Sequence, residues 1–272
     1  MIIDKKLIFF DVDDTLVHHR GDKSYIPDSA LRSLKALRQE GHILAIASGR
    51  GHEQIRQIMK LLNIEHAVCF NGHMVVVDNE VVQSQPLHRG DVEALLSKLR
   101  KGIMPFIVMD KDHAYIKDFL GKVRSTLKKE IKEVEGAEGD MYLGRLKRYH
   151  HAKAPYYAMM FFRKSFKHKD RYPNLTFKEW GRIGYEVANA GVSKLSGIHY
   201  MADHFGISYE DVVVFGDNYN DIEMLDGIEN SVAMGNAVKA AKEAAAYVTD
   251  HVGEHGIEKA CYHLGLLKEE TV

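Results

Sequence analysis

The sequence predicts an α/β protein: a doubly wound parallel-sheet core interrupted by an inserted α+β domain. Three observations predict it. Short apolar runs such as Leu7–Phe10 and residues 212–215 lie in both terminal parts of the chain. Strands that are apolar on both faces belong to parallel sheets covered by helices. Helical segments alternate with these strands, which implies right-handed crossovers. The middle of the chain breaks this pattern and carries strands in runs. Its charge differs too. Residues 84–188 hold 22 Lys and Arg against 13 Asp and Glu, a net of +9, and the rest holds 15 against 25, a net of −10.

The elements follow in order. Residues 6–10 are the first buried strand. Residues 18–25 are polar, contain Gly21, and read as a loop or small flap. Pro27-Asp28 opens a helix to residue 40, with Leu31, Leu34 and Leu37 on one face and Gly41 as its stop. Residues 42–47 are a second buried strand, ending in Ser48-Gly49-Arg50, and 53–62 are a helix. Residues 67–70 are a third strand. The Asn71-Gly72 turn then leads into a hairpin, 75–77 with 81–82, around Asp78-Asn79. In the middle, 91–101 and 119–132 read as helices and 133–140 as an acidic loop. Residues 106–109, 114–117, 156–163, 175–180 and 185–188 read as strands. From Gly191 the first pattern resumes, with a helix capped by Ser193 and ending at Phe205-Gly206. Strand 212–215, short helix 221–225, strand 231–234, helix 237–245, strand 247–249 and helix 254–264 complete the chain. The expected domains are a core, 1–83 with 189–272, and an insertion, 84–188.

A chain of 272 residues, 45% hydrophobic and 28% charged, buries a substantial core without disulfides. A net charge of −1 gives no global sign of a nucleic-acid partner. Cys69 and Cys261 lie in apolar segments and read as buried thiols in a reducing compartment. No signal peptide is visible and no run approaches 18 apolar residues. The expectation is a cytoplasmic protein, monomer or homodimer, with no membrane or nucleic-acid partner.

The chemistry gathers at strand ends, where open α/β sheets bind ligands. Asp11, Asp13, Asp14 and Thr15 follow the first strand. Asp11 and Asp13 are two apart, so an extended backbone points both the same way. Crowded carboxylates call for a divalent cation or a shared proton, and hard oxygen donors suit Mg²⁺. Ser48-Gly49-Arg50 offers a hydroxyl and backbone N–H groups before a helix, an anion site. Lys194 stands one residue into a helix, the unfavourable end for a cation unless a negative partner is near. Gly216-Asp217-Asn218-Tyr219-Asn220-Asp221 adds two carboxylates and two amides at a strand-to-helix turn. Each signal alone has an ordinary reading, as an acidic turn, a helix cap or a solvated lysine. All four, in this order and each beside a strand or a helix start, point to one site.

These four elements resemble motifs I to IV of the haloacid dehalogenase superfamily. Motif I resembles Asp11-Val12-Asp13-Asp14-Thr15, motif II Ser48, motif III Lys194, and motif IV residues 216–221. Asn71-Gly72, Gly191-Val192-Ser193-Lys194 and Val232-Ala233-Met234-Gly235-Asn236-Ala237 resemble the Cof-type subfamily, whose C2B cap is inserted between motifs II and III. The resemblance covers the whole chain and implies a Rossmann-like core with an inserted cap. Two positions depart from the pattern: Asp14 and Leu195 stand where the family usually has Gly.

The resemblance implies an Mg²⁺-dependent phosphatase acting on small phosphorylated metabolites, sugar phosphates or phosphorylated cofactors, through an aspartyl-phosphate. Asp11 is then the nucleophile and Asp13 the acid and base, able to keep its proton. The metal site is Asp11, Asp13 through its backbone carbonyl, Asp217 and Asp221. Val12, Ser48, Gly49, Lys194 and Asn220 bind the phosphoryl group, Thr15 orients the Asp11 turn, and Asn218 supports the site. A phosphomutase of the same fold and a non-catalytic phosphometabolite-binding protein are the alternatives. A second aspartate argues against dehalogenation, and the lack of membrane helices against a P-type ATPase. The pairs His18-His19 and His150-His151 point apart in an extended chain and serve one zinc ion poorly. The basic segment 145–153 is a solvated face, a substrate contact or a nucleic-acid surface.

Overall fold

The computed structural model describes residues 5–20, 23–101, 105–117, 147–148, 154–161, 166, 169–180 and 184–268. The chain divides into two compact units, Met1–Gln83 with Ser193–Val272, and Ser84–Val192.

In the first unit, β1 (Leu7–Phe10) is followed by a two-stranded hairpin, β2 (His18–Arg20) and β3 (Lys23–Tyr25). The segment read as a loop or flap is thus a hairpin. Next come α1 (Asp28–Gln39), β4 (Ile43–Ala47), α2 (His52–Leu62), β5 (His66–Cys69), β6 (Met74–Val77) and β7 (Glu80–Ser84). Asp78 and Asn79 both take positive φ, 51° and 63°. That is the turn whose twist matches a tight hairpin. One expectation about α1 fails. Ser29, Ala30, Ser33, Leu34 and Leu37 are buried, whereas Leu31 is 40% exposed. The buried stripe follows positions 30, 33, 34 and 37, and Leu31 falls beside it.

The second unit contains α3 (Arg89–Lys101), β8 (Phe106–Met109), β9 (Ala114–Lys117), β10 (Lys147–Arg148), β11 (Tyr157–Phe161), β12 (Leu175–Trp180) and β13 (Gly184–Asn189). Its six-stranded sheet has the order β10-β9-β8-β11-β13-β12 and is antiparallel except between β9 and β10. Val92, Leu95, Leu96 and Leu99 of α3 share one core with Phe106, Val108, Ala158, Met160, Phe177 and Val187. The unit runs past residue 188 because β13 extends to Asn189 and the Ala190 N–H donates to the Asn174 carbonyl. The helix expected at 119–132, the loop at 133–140 and most of segment 145–153 lie outside the described residues. Lys147 and Arg148 of that segment are exposed.

The chain returns to the first unit in α4 (Lys194–Phe205), then β14 (Val212–Gly216), α5 (Ile222–Gly227), β15 (Asn230–Ala233), α6 (Lys239–Ala244), β16 (Tyr247–Val248) and α7 (Gly256–His263). The eight-stranded sheet has the order β16-β15-β14-β1-β4-β5-β6-β7. It is parallel from β16 to β5, and β6 turns back antiparallel on β5. All four residues of β1 are fully buried, as the unbroken apolar run requires. From β1 the chain builds one half of the sheet through β4 and β5. It later builds the other half through β14 and β15. The crevice between β1 and β14 is therefore a topological switch point, where α/β proteins place ligands. Among the described residues, no helix is long and apolar enough to cross a membrane.

Candidate active site

At the ends of β1 and β14, four loops of the first unit converge. Lys194 is at the centre. Its side chain is fully buried, and its Nζ donates to Asp11 Oδ1 at 2.5 Å and to Asp221 Oδ1 at 2.6 Å. Two glycines bring it there. A Cβ on Gly72, which has φ +99°, would lie 2.0 Å from the Ser193 carbonyl oxygen. A Cβ on Gly197 would lie 2.5 Å from Val68. Only bare backbone lets the start of α4 come this close to β5 and the turn after it. The Ser193 hydroxyl accepts from the Ser196 N–H and caps the helix one residue before Lys194. The two carboxylates supply the negative partner that a lysine at a helix start needs.

Asp11, Asp217 and Asp221 are buried, and one carboxylate oxygen from each lies within 4.8 Å of the others. Asp221 is held by the backbone, its Oδ2 accepting from the Asp217 and Asn218 N–H groups at 2.9 Å each. The Asn218 side chain accepts the Tyr219 N–H and fixes this turn. Burial raises the Asp11 carboxyl to about 7. Lys194 opposes that shift, and Asp221 and Asp13 add to it. Asp217 is raised well above the ordinary carboxylate range by burial, then by Asp11 and Asp221. Lys194 goes upward despite burial, because its two carboxylate partners outweigh desolvation. Three buried hard-oxygen donors share one ammonium, so their full ionisation needs further positive charge. This donor set fits a divalent cation such as Mg²⁺.

Thr15 has a different partner from the expected one. Its buried hydroxyl donates to Asp217 Oδ1 at 2.9 Å, tying the β1 loop to the β14 loop. The turn after Asp11 is made instead by the Val12 carbonyl, which accepts the Leu16 and Val17 N–H groups. The Val12 side chain is fully buried, so only its backbone is available to a ligand.

Asp13 departs from expectation in its proton, not in its place, since only its backbone carbonyl was expected at the metal. Its carboxylate is not part of the Asp11, Asp217 and Asp221 cluster. Arg50 Nε donates to Asp13 Oδ2 at 2.9 Å, Arg50 Nη2 pairs with Oδ1, and His19 Nε2 lies 3.0 Å from Oδ1. Burial pushes this carboxyl up, but His19 and Arg50 outweigh it and hold it below the ordinary range. In the free protein Asp13 is therefore ionised and does not keep a proton. The chain leaves the extended form at Val12, whose carbonyl accepts the Leu16 and Val17 N–H groups, and Asp14 follows with φ +55°. Asp is among the few residues with a side chain that tolerate this region.

The third loop follows β4. Ser48 is buried and its hydroxyl accepts the Arg50 N–H at 3.1 Å. Gly49 faces two amides: a Cβ there would lie 3.2 Å from Asn71 Oδ1 and 3.6 Å from Asn220 Nδ2. Asn220 donates to Asn71 Oδ1 at 3.3 Å, and the Asn71 N–H donates to the Ser48 carbonyl. Ser48, Gly49, Asn71 and Asn220 thus form one polar pocket wall.

Sequence reasoning assigned no role to Arg50, His19 or Asn71, and none to Asn236, whose side chain donates to the Asp14 carbonyl and accepts the Val252 N–H. Arg50 had a signal, since it follows Ser48-Gly49 at a strand end. His19 had none, because its partner depends on how the hairpin closes.

A profile of the haloacid dehalogenase-like hydrolase family matches residues 8–261. YkrA of Bacillus subtilis (strain 168), named as a candidate phosphatase, is 31% identical over 98% of this chain and 100% of its own. A solved structure of a Geobacillus kaustophilus protein described only as hypothetical is 32% identical, with a TM-score of 0.79 over 97% of this chain and 100% of that one. The structure of a subclass IIB sugar phosphatase, BT4131, is 25% identical, with a TM-score of 0.74 over 97% of this chain and 100% of that one. Motif order, sheet topology and these likenesses agree: the chain belongs to the haloacid dehalogenase-like hydrolase family.

Proposed function

We propose that this phosphatase hydrolyses small phosphate monoesters with Mg²⁺, through an aspartyl-phosphate on Asp11. The observation that carries the reading is Asp11 at the end of β1, bonded to a buried Lys194 beside Asp217 and Asp221. A group meant only to bind phosphate gains nothing from a buried carboxylate at that position.

The Asp11 carboxylate attacks phosphorus in line with the leaving oxygen. Lys194, Ser48, the Gly49 N–H and Asn220 hold the phosphoryl oxygens as negative charge spreads over them. The Asp11 and Asp217 carboxylates, the Asp13 carbonyl and Asp221 in support would hold Mg²⁺. When bound it would keep Asp11 ionised and neutralise phosphoryl charge. Asp13 gives a proton to the leaving alkoxide and later takes one from the attacking water. The arriving phosphate dianion adds negative charge near Asp13 and raises its proton affinity, which loads the acid only when substrate is bound. Thr15 holds Asp217. The inserted unit, 84–188 by sequence, serves as the cap that selects the leaving group. The sugar phosphatase among its relatives favours a phosphorylated metabolite as substrate.

The test is free-phosphate release from a panel of phosphate esters. Wild type turns over several of them. Asp11→Asn loses several orders of magnitude and melts as a folded protein. Near-normal turnover by folded Asp11→Asn refutes the nucleophile.

A further inference from the structure

We propose that His19 is a positioning residue for Asp13, and that through it the β2–β3 hairpin sets the aim of the general acid. The inference rests on the phosphatase reading and goes beyond it. His19 has a side chain only 4% exposed, and its two ring nitrogens are engaged in opposite directions. Nε2 lies 3.0 Å from Asp13 Oδ1, and Nδ1 lies 2.8 Å from the Ser24 hydroxyl of β3. Ionised Asp13 only accepts, so Nε2 carries the hydrogen, and Nδ1 pairs with the Ser24 hydroxyl. The chain of contacts Ser24–His19–Asp13 thus fixes ring and carboxylate together.

The backbone of His19 is held as well. Its N–H donates to Asp14 Oδ1 at 3.3 Å. This gives a reason for a carboxylate at a left-handed position: a glycine would supply the turn but not the acceptor. Asp14 is fixed in turn by Asn236, which donates to its carbonyl at 2.7 Å. Arg50 grips Asp13 from the other side, through Oδ2 and Oδ1. With both oxygens gripped, the Asp13 side chain is still one-third exposed, an edge open to a ligand. Arg50 fixes the carboxylate plane through both oxygens, and His19 adds a second donor on Oδ1 that resists displacement of the pair. A misaimed acid costs most where the leaving oxygen most needs a proton, so the effect depends on the leaving group.

The experiment compares kcat and KM for an alkyl ester (glycerol phosphate) and an aryl ester (4-nitrophenyl phosphate) in Mg²⁺. Wild type, His19→Ala, His19→Gln and Ser24→Ala are used, each checked by thermal unfolding. His19→Ala is expected to lose about tenfold or more in kcat on the alkyl ester, a share of the ~10²–10⁴ a placed acid contributes. The aryl ester changes by less than about twofold, and KM holds for both. His19→Gln, whose Nε2–H can reach Asp13, recovers most of the loss, and Ser24→Ala lies between. Equal losses on both esters, a KM rise at constant kcat, or a folded His19→Gln no better than His19→Ala overturns the proposal. If His19→Ala melts low, the Gln and Ser24 variants carry the comparison. Wild type that releases phosphate from no ester overturns the phosphatase reading and this proposal with it, a result distinct from any variant pattern.

Discussion

Replacing Lys194 by Met removes the one fixed positive charge from a buried carboxylate cluster while nearly keeping its volume. In the wild type its Nζ bonds Asp11 at 2.5 Å and Asp221 at 2.6 Å, with no exposed side-chain surface. Removing one partner of a buried pair costs about 3–5 kcal/mol, because the other charge remains without compensation. At about 2–4 °C per kcal/mol for a domain of this size, Tm falls by roughly 10 °C in metal-free buffer at pH 8. The cost also depends on pH. The Asp11 pKa is raised from 3.8 to about 7 in the fold, first by burial. For an acid shifted this way, the folded state favours the protonated form. Its contribution to stability is complete below the unfolded pKa and is lost as pH rises toward the folded one. Without Lys194 the carboxyl goes higher still, so at pH 5 Asp11 is neutral and its share of the penalty disappears, leaving that of Asp221. Differential scanning calorimetry of both proteins at pH 5 and pH 8, with and without Mg²⁺, reads this directly. Added Mg²⁺ restores part of the loss at pH 8. A Lys194→Met protein that melts like wild type at pH 8, or loses the same amount at both pH values, refutes the electrostatic argument.

Other outcomes follow from the same geometry. Chelator-treated enzyme should show no phosphate release until Mg²⁺ is returned, and Ca²⁺ should substitute poorly because it prefers larger, looser oxygen shells; full turnover in excess chelator would contradict the metal site. Gly72→Ala puts a Cβ 2.0 Å from the Ser193 carbonyl oxygen at φ +99°, so it should lower stability by about 1–3 kcal/mol and reduce kcat by displacing Lys194, though Gly72 carries no chemistry; wild-type Tm and kcat would count against the close approach. Asp13→Asn should harm alkyl phosphates more than aryl phosphates, and a uniform loss would remove Asp13 as the acid.

The strands and the site segments were legible for the same physical reason. A parallel strand covered on both faces is a continuous apolar run, as in Leu7–Phe10, and its chemistry follows at the carboxyl end. Lys194 was legible as an anomaly, a cation at a helix start, and Asp11 and Asp221 explain it. What local patterns did not carry was long-range pairing. Thr15 was expected to serve the Asp11 turn, yet its partner is Asp217, 202 residues away in sequence. Asp13 was expected to point the same way as Asp11, but the chain turns at Val12 and Asp13 pairs with Arg50 and His19. Leu31 misled for a simpler cause: a three-residue spacing to Leu34 fits a helical stripe, and the stripe closed on Ala30 instead.

Charge balance links these parts. Asp11, Asp217 and Asp221 bring three carboxyl groups to one buried cluster, where burial pushes Asp11 and Asp217 toward their protonated forms and Lys194 offsets one charge. Full ionisation of all three would leave two negative charges beyond Lys194, which one divalent cation would match. Arg50 and Asp13 cancel locally and add nothing to that sum. Once a cation is present, an incoming phosphate dianion meets a site with no net charge left to repel it. Its own charge then falls partly on Asp13, the one carboxylate kept ionised by hydrogen bonds and not by the metal cluster. A proton taken up there offsets half of the dianion. Under the proposed mechanism, an acid outside the cluster, gripped by Arg50 and His19, would gain its proton as the charge of the substrate arrives.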